Sequence, residues 1–347
     1  MAPRVEYAQH WISKTVESTY NTAEATGSNY AYLPNQNAYY KLPVLEKLND
    51  GGRVGLAAPS HTCQHYWTPP QYGITDDAET DVPGRIFRRA LGGAVTDTLV
   101  ETGVYDHEFA ILDPRVGSIL PSFGMVSLLD VASFLFHGCM VDRFKVSQKG
   151  SDRAIYEADI VGSGKFTTPH GLSSLPALAQ TVCMDGFRVV VTYVDDASAT
   201  INLSTLGTLI EWMVEHKNNI RTNKRRVGDT IQTVSTTGTG AHVKAMPRGH
   251  YTTDISMKLD FVDLTNWTKS IQNKTFTNLK FKLVGPTVGA TSRHEFEIIV
   301  PSFSFEVLEP DEDEGEASHT VKCIAFQDAV SGGTITGRVR NGTATLV

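Results

Sequence analysis

The chain has 347 residues but only four cysteines, Cys63, Cys139, Cys183 and Cys323, widely spaced and without a CxxC pair. That excludes a disulfide framework and the paired-thiolate zinc modules. The thiols read as small buried apolar groups. Long apolar runs are missing as well. The longest, such as VGSILPSFGMVSLL from Val116, stay short of the ~18 residues of a membrane helix and contain Pro and Gly. The start, MAPRVEYAQHW, is polar and charged with no apolar core before a cleavage site. The expectation is a protein without a signal peptide or a membrane partner, assembled in a cytoplasm. Basic charge is in deficit, with 31 Lys and Arg against 38 Asp and Glu. A whole surface that grips nucleic acid needs the opposite balance.

Catalytic signatures are absent: there is no G-x-S-x-G, HExxH, GxGxxG or EF-hand loop. Four stretches come nearest to chemistry. His61, Cys63 and His65 alternate in PSHTCQHYW and are a weak metal candidate. On one strand such positions stand about 6.5 Å apart per step, whereas zinc bonds of about 2.0–2.3 Å need convergence. A polar strand or loop facing water or a neighbour explains the stretch without metal. VGSGKFTT at Val161 echoes a phosphate loop, but Phe166 stands where a hydroxyl must reach the metal and Pro169 blocks the helix that should follow. A glycine turn leaving a strand fits better. Cys139 beside His137 lies in apolar surroundings, FLFHGCMV, where burial makes a thiol inert. The acid run EPDEDEGE, Glu309 to Glu316, reads as a solvated hairpin tip. The expectation is no catalytic residue, no cofactor and no enzyme.

What the chain does have is alternation with period two. Met140, Phe144 and Val146 oppose Arg143, Lys145 and Ser147. Phe187, Val189, Val191 and Tyr193 share a face, as do Met257, Leu259 and Phe261. Leu279, Phe281 and Leu283 form a fourth such set, Phe303, Phe305 and Val307 a fifth, and Val321, Cys323 and Ala325 a sixth. Segments of this kind between Gly, Pro, Asp and Ser clusters predict antiparallel sheet with one buried face. Helical signals are few. Asp81 stands as a cap before Pro83, with Ile86, Phe87, Ala90 and Leu91 as a stripe and Gly92 as the stop. Asp263 precedes Leu264, Trp267 and Ile271 in the same manner, and Leu206, Leu209, Ile210 and Met213 fit a third helix.

The halves rhyme. Each runs helix, strand, long hairpin, and the final arms AIYEADIV and HTVKCIAF both alternate. HYWTPP at His65 and HYTTDI at His250 precede the two helices. This predicts an internal duplication. The expected domains are 1–180, with an N-terminal arm and a long loop over 44–80, and 181–347, with a long loop over 218–250 and a C-terminal arm. The fold class is all-β with a short helix per domain: two β-sandwich or partial-barrel units.

FRRALGG followed by GVYDHEFAIL, then SFLFHGCMVDRFKVS with IYEADIVGSG, and late in the chain EFEIIVPSFSFEVLEP with TVKCIAFQDA, together resemble the major tail tube proteins of long-tailed, siphophage-type bacteriophages, in particular the duplicated tube-domain kind. The marks cover most of 80–165 and 250–330. The resemblance implies a structural virion protein of the viral tail. Its subunits self-assemble into stacked rings forming a hollow conduit for DNA ejection. A duplicated subunit implies trimeric, pseudo-hexameric rings, with a hexamer as the alternative. Implied partners are further copies of the chain, a tape-measure protein, and tail terminator and baseplate or distal tail proteins. DNA would pass through the lumen without specific binding. Lys224, Arg225 and Arg226 are expected to meet Asp311, Glu312, Asp313 and Glu314 of an adjacent subunit when rings stack. Another β-structural virion component, a capsid decoration or baseplate protein, is the alternative, and a metal-dependent enzyme using His61, Cys63 and His65 is the third reading.

Overall fold

The structure, a computed structural model, describes residues 9–20, 22–33, 39–41, 45–46, 66–67, 71–77, 80–113, 119–129, 132–167, 169–172, 174–176, 184, 189–195, 197–203, 209–221, 246–260, 275–306, 310–313, 316–327 and 333–346. The first half holds β1 (Gln9–Ser13), β2 (Tyr30–Leu33), β3 (Tyr39–Lys41), β4 (Leu45–Glu46), β5 (Tyr66–Trp67) and β6 (Gln71–Asp77). The helix α1 (Val82–Leu91) follows, then β7 (Gly92–Glu101), β8 (Val104–Ile111), β9 (Phe123–Leu129), β10 (Ala132–Lys149), β11 (Ile155–Val161) and β12 (Phe166–Thr167). The second half holds β13 (Val189–Val194), β14 (Thr200–Asn202), β15 (Leu209–Lys217), β16 (Thr252–Asp260) and β17 (Thr275–Thr287). It ends with β18 (Arg293–Glu306), β19 (Pro310–Asp313), β20 (Glu316–Ala325) and β21 (Thr336–Asn341). Among the described residues the fold is all-β with one short α-helix and a single 3-10 turn at Gly27–Asn29. The second expected helix, from Leu264, lies outside them.

All pairings among the described residues are antiparallel, and one layer runs β3–β6–β11–β10–β15–β16–β20–β18. Two strands are long enough to serve a second layer. The first part of β10 pairs with β9 and β12, extending the row β2–β1–β9–β10–β12. The first part of β18 lies in the row β14–β13–β17–β18–β21–β8–β7. Among the described residues, apart from the β4–β5 pair, 19 strands are joined by 18 pairings. A closed ring of them needs one more, so the described ladder is open and branched. One spatial order occurs twice: β2–β1–β9–β10–β12 is matched by β14–β13–β17–β18–β21, and β10–β11–β6–β3 by β18–β20–β16–β15.

Local chemistry explains how β10 passes between layers. Gly138 has φ 63, a left-handed value suited to glycine, and the β9 register shifts between Phe136 and Cys139. The Gly138 amide donates instead to Glu17 Oε1 at 2.9 Å. A second shift, between Val141 and Arg143, corrects the simple alternation. Val141, Phe144 and Val146 join the main core, whereas Met140 packs in a small cluster with Leu120, Val161, Ile220 and Met246.

The core lies between the layers. Phe87 of α1 stacks on Phe144 at 4.8 Å between ring centroids and meets Phe109 at 5.5 Å and Phe296 at 5.6 Å, so one helix side chain joins β10, β8 and β18. Burying a Phe of this kind contributes about 1.5–3 kcal/mol. The helix stops where expected: Gly92 has φ 75, and a Cβ there would meet Leu120 at 2.6 Å. Asp81 stands at the expected cap position, but its carboxylate accepts from Arg85 Nε at 3.0 Å rather than from a backbone amide of the helix. The third expected helix is corrected. Residues Leu209–Lys217 form β15, with Trp212, Val214 and His216 buried in the core face. The pairing of β15 with both β10 and β16 satisfies its backbone and outweighs its helical spacing.

Candidate functional site

The face of the eight-stranded layer turned away from the core is polar and charged. Registers place Asp159, Arg143, Lys217 and Thr252 in one row across β11, β10, β15 and β16. Glu157, Lys145, Glu215 and Asp254 form the next, continued by Ile324 of β20 and Ser304 of β18. Within these rows the cations are held by carboxylates. Arg143 reaches Asp159 at 2.7 Å, Glu215 at 3.1 Å and Glu157 at 3.2 Å. Lys145 reaches Glu157 at 2.7 Å, and Lys217 reaches Glu215 at 2.5 Å and Asp254 at 3.4 Å.

Titration follows this geometry. Burial works against the charged Arg143 guanidinium, but its bonds to Asp159 and Glu215 outweigh that and hold its pKa above the ordinary arginine value. Burial alone would raise the Glu215 carboxyl, yet the hydrogen bonds from Lys217 and Arg143 bring it below the usual range. Asp142 beside them goes the other way: burial raises it, against the bond its carboxylate accepts from the Ile220 amide at 2.6 Å. The arrangement binds together four strands from both halves of the chain. It has no exposed nucleophile and no converging ligand set.

A groove of about 640 Å³ crosses one end of the layer, lined by residues that include Met213, Tyr251, Asp254, Ser256, Glu306, Lys322 and Ile324. The outer edge of β18 lies beside it. Among the described residues β17 pairs with that edge only as far as Ser304, leaving Phe305 and Glu306 without a partner strand there. At the layer's other end β3 pairs only with β6 among the described residues.

The residues singled out in the sequence scatter. His61, Cys63 and His65 lie outside the described residues, as do Lys224, Arg225, Arg226 and Glu314. Asp311, Glu312 and Asp313 fall on β19, which pairs with β20 as the first arm of a hairpin. No group of three or more His, Cys, Asp or Glu that could hold a metal occurs among the described residues. Cys139 is fully buried, and burial pushes its thiol well above the ordinary value. His137 next to it is engaged elsewhere: Nδ1 accepts from the Ala23 amide at 3.1 Å and Nε2 meets Thr167 Oγ1 at 2.9 Å. Within VGSGKFTT, residues 162–165 connect β11 to β12, with Gly164 at φ 94 and Ser163 Oγ donating to the His137 carbonyl at 2.9 Å. No helix among the described residues is long and apolar enough to cross a membrane. The carboxylates around Arg143 were not singled out by sequence reasoning. Their only signal was the polar side of the alternation, which does not say which strands lie side by side.

No family model matches the chain, and no curated protein matches it.

Proposed function

We propose that the chain is a structural virion protein whose copies join edge to edge into rings, and that the rings stack into the hollow tail tube through which phage DNA leaves. The observation that carries this reading is the eight-stranded layer. It consists of two runs of four strands in the same order, β18–β20–β16–β15 and β10–β11–β6–β3, joined where β15 pairs with β10. This repetition also supports a duplicated unit, with domains over 1–180 and 181–347. A layer made by laying one unit beside another has a natural continuation, in which β3 of one copy takes the place on β18 that β15 takes on β10. Sheet edges left open invite pairing, and closure through neighbours removes them. Head-to-tail contacts of this kind close into a ring when the rotation allows. Three copies of two units give a trimer that imitates six-fold symmetry.

In such a ring the charged face lines the channel, and the tape-measure, terminator and distal tail proteins are the partners of a tube. The reading needs no cofactor and no catalysis. The test is negative-stain microscopy and sedimentation of the purified full chain. Rings or tubes with a central channel and three chains per ring support it. A monodisperse monomer at high concentration, with no rings under any salt condition, overturns it.

A further inference from the structure

The repeated order has one interruption. Between α1 and β9 the first half carries the hairpin β7–β8, Gly92 to Ile111. In the second half only residues 261–274 separate β16 from β17, too few for a helix like α1 and a twenty-residue hairpin as well. The extra hairpin does not extend its own half's sheet. Its strand β8 pairs with β21, from Tyr105↔Asn341 to Ala110↔Thr336, and so completes the outer row of the second half.

The second half is shaped to receive it. At the tip Glu101 accepts hydrogen bonds from three consecutive backbone amides of the β17–β18 turn: Ala290 at 2.5 Å, Thr291 at 3.3 Å and Ser292 at 3.1 Å. Consecutive amides of this kind form a nest for an anion. Beside them Gly289 leaves room, since a Cβ there would stand 2.7 Å from both Glu101 and Val104. Further along, Arg340 grips Asp106 with two bonds at 2.6 and 2.8 Å, and buried His107 bridges Asp97 of β7 at 2.6 Å to Asn341 at 3.1 Å.

We infer that the β7–β8 hairpin is a latch, inserted in one half and seated in the other, that makes the two halves a single rigid block. The halves already meet in the charged layer, where β15 lies on β10. Beside the core contact of Phe87 with Phe296, the hairpin adds a second strand-to-strand seam in the other layer, and separated seams resist a hinge better than one. In a ring of these chains the double seam would occur within each chain and not between chains. That consequence rests on the tube reading, whereas the latch itself is read out on single chains.

The test is peptide-resolved amide hydrogen exchange on the full chain, wild type against Glu101→Gln and against Glu101→Gln combined with Arg340→Met. Loss of charge-assisted bonds should speed exchange over 104–111, 288–292 and 336–341 by about ten-fold or more. Segments 155–161 and 209–217 should stay within about two-fold of wild type. If the double variant does not fold, wild type in low denaturant serves, since a latch opens there as a unit before global unfolding. Unchanged exchange in the hairpin and its seat overturns the inference. So does equal acceleration in every segment, or opening of the wild-type hairpin only with the whole molecule.

Discussion

Arg143→Ala is the sharpest probe of the charged face. The wild-type guanidinium serves three carboxylates, Asp159, Glu215 and Glu157, with 27% of its side chain exposed. Removing it leaves three like charges facing one another, with Lys145 and Lys217 as the cations nearby. Each charge-assisted bond contributes about 1.5–3 kcal/mol when buried, and exposed ion pairs contribute about 0.2–1 kcal/mol. Partial exposure places the whole cluster at about 2–3 kcal/mol, below the 3–5 kcal/mol of breaking a fully buried pair. The assay is urea unfolding followed by tryptophan fluorescence, with the slope held equal so that the midpoint reports stability. The pH dependence gives an independent check. Glu215 has a folded pKa below its unfolded value, so its share of stability is present above the unfolded pKa and fades as pH falls through the folded one. The gap between wild type and variant should therefore narrow in acid. A midpoint unchanged at neutral pH, or a gap that persists once the carboxylates are protonated, refutes the reasoning.

Trp212 is 2% exposed, stacks on Phe281 at 5.0 Å and donates to Gln148 Oε1 at 3.0 Å. Trp212→Ala should cost about 3–5 kcal/mol in the same urea assay. Gly337→Ala places a Cβ 2.3 Å from the Phe109 ring and 2.6 Å from Phe87, and should lower stability by about 1–3 kcal/mol through overpacking. Cys139 and Cys323 are buried with thiols pushed up by burial. Neither should react with a thiol reagent until the chain unfolds, which a colorimetric titration checks. His216 is buried and faces Arg248 Nη2 at 3.4 Å; burial first, and that charge second, lower its pKa to about 3. The folded state resists its protonation, so stability is lost as pH falls from the ordinary value of 6.5 toward about 3. His216→Gln should flatten that window in acid-unfolding curves.

Strands buried on one face were legible because alternation is the direct imprint of one-sided burial: Leu279, Phe281 and Leu283, or Met257 and Leu259, are buried together. The helix was legible for a local reason, since Pro83 and Gly92 mark its ends within ten residues. What failed was non-local. Leu206, Leu209, Ile210 and Met213 fit a helix as long as only neighbours in sequence are counted, but β15 has its partners on β10 and β16. β7 shows no alternation because it is an exposed edge, with Leu99 at 60% exposure. The seat of Glu101 lies almost two hundred residues away in sequence, and no local pattern announces a carboxylate that will fill a distant turn. The bulge after Val141 is equally silent, since it depends on β10 serving two layers at once.

On the proposed conduit reading, the charged face bears on how DNA would be let through. The net charge of −7 is an excess of acid over the chain as a whole. The rows around Arg143 are instead nearly balanced, with three cations among four carboxylates. Attraction of a protein for DNA comes from cations that neutralise phosphates and release counterions. A guanidinium already held by carboxylates at 2.7 to 3.2 Å has to give up those bonds before it can take a phosphate. The exchange replaces one set of charge-assisted bonds with another and leaves carboxylates facing the phosphate backbone. A polyanion sliding over the rows around Arg143 would meet small alternating fields that are screened over about 10 Å at ordinary salt. If the proposed ring is the assembly, compensated charge would do for passage what excess acid would do, without the self-repulsion that a uniformly acidic ring would impose on its own strands.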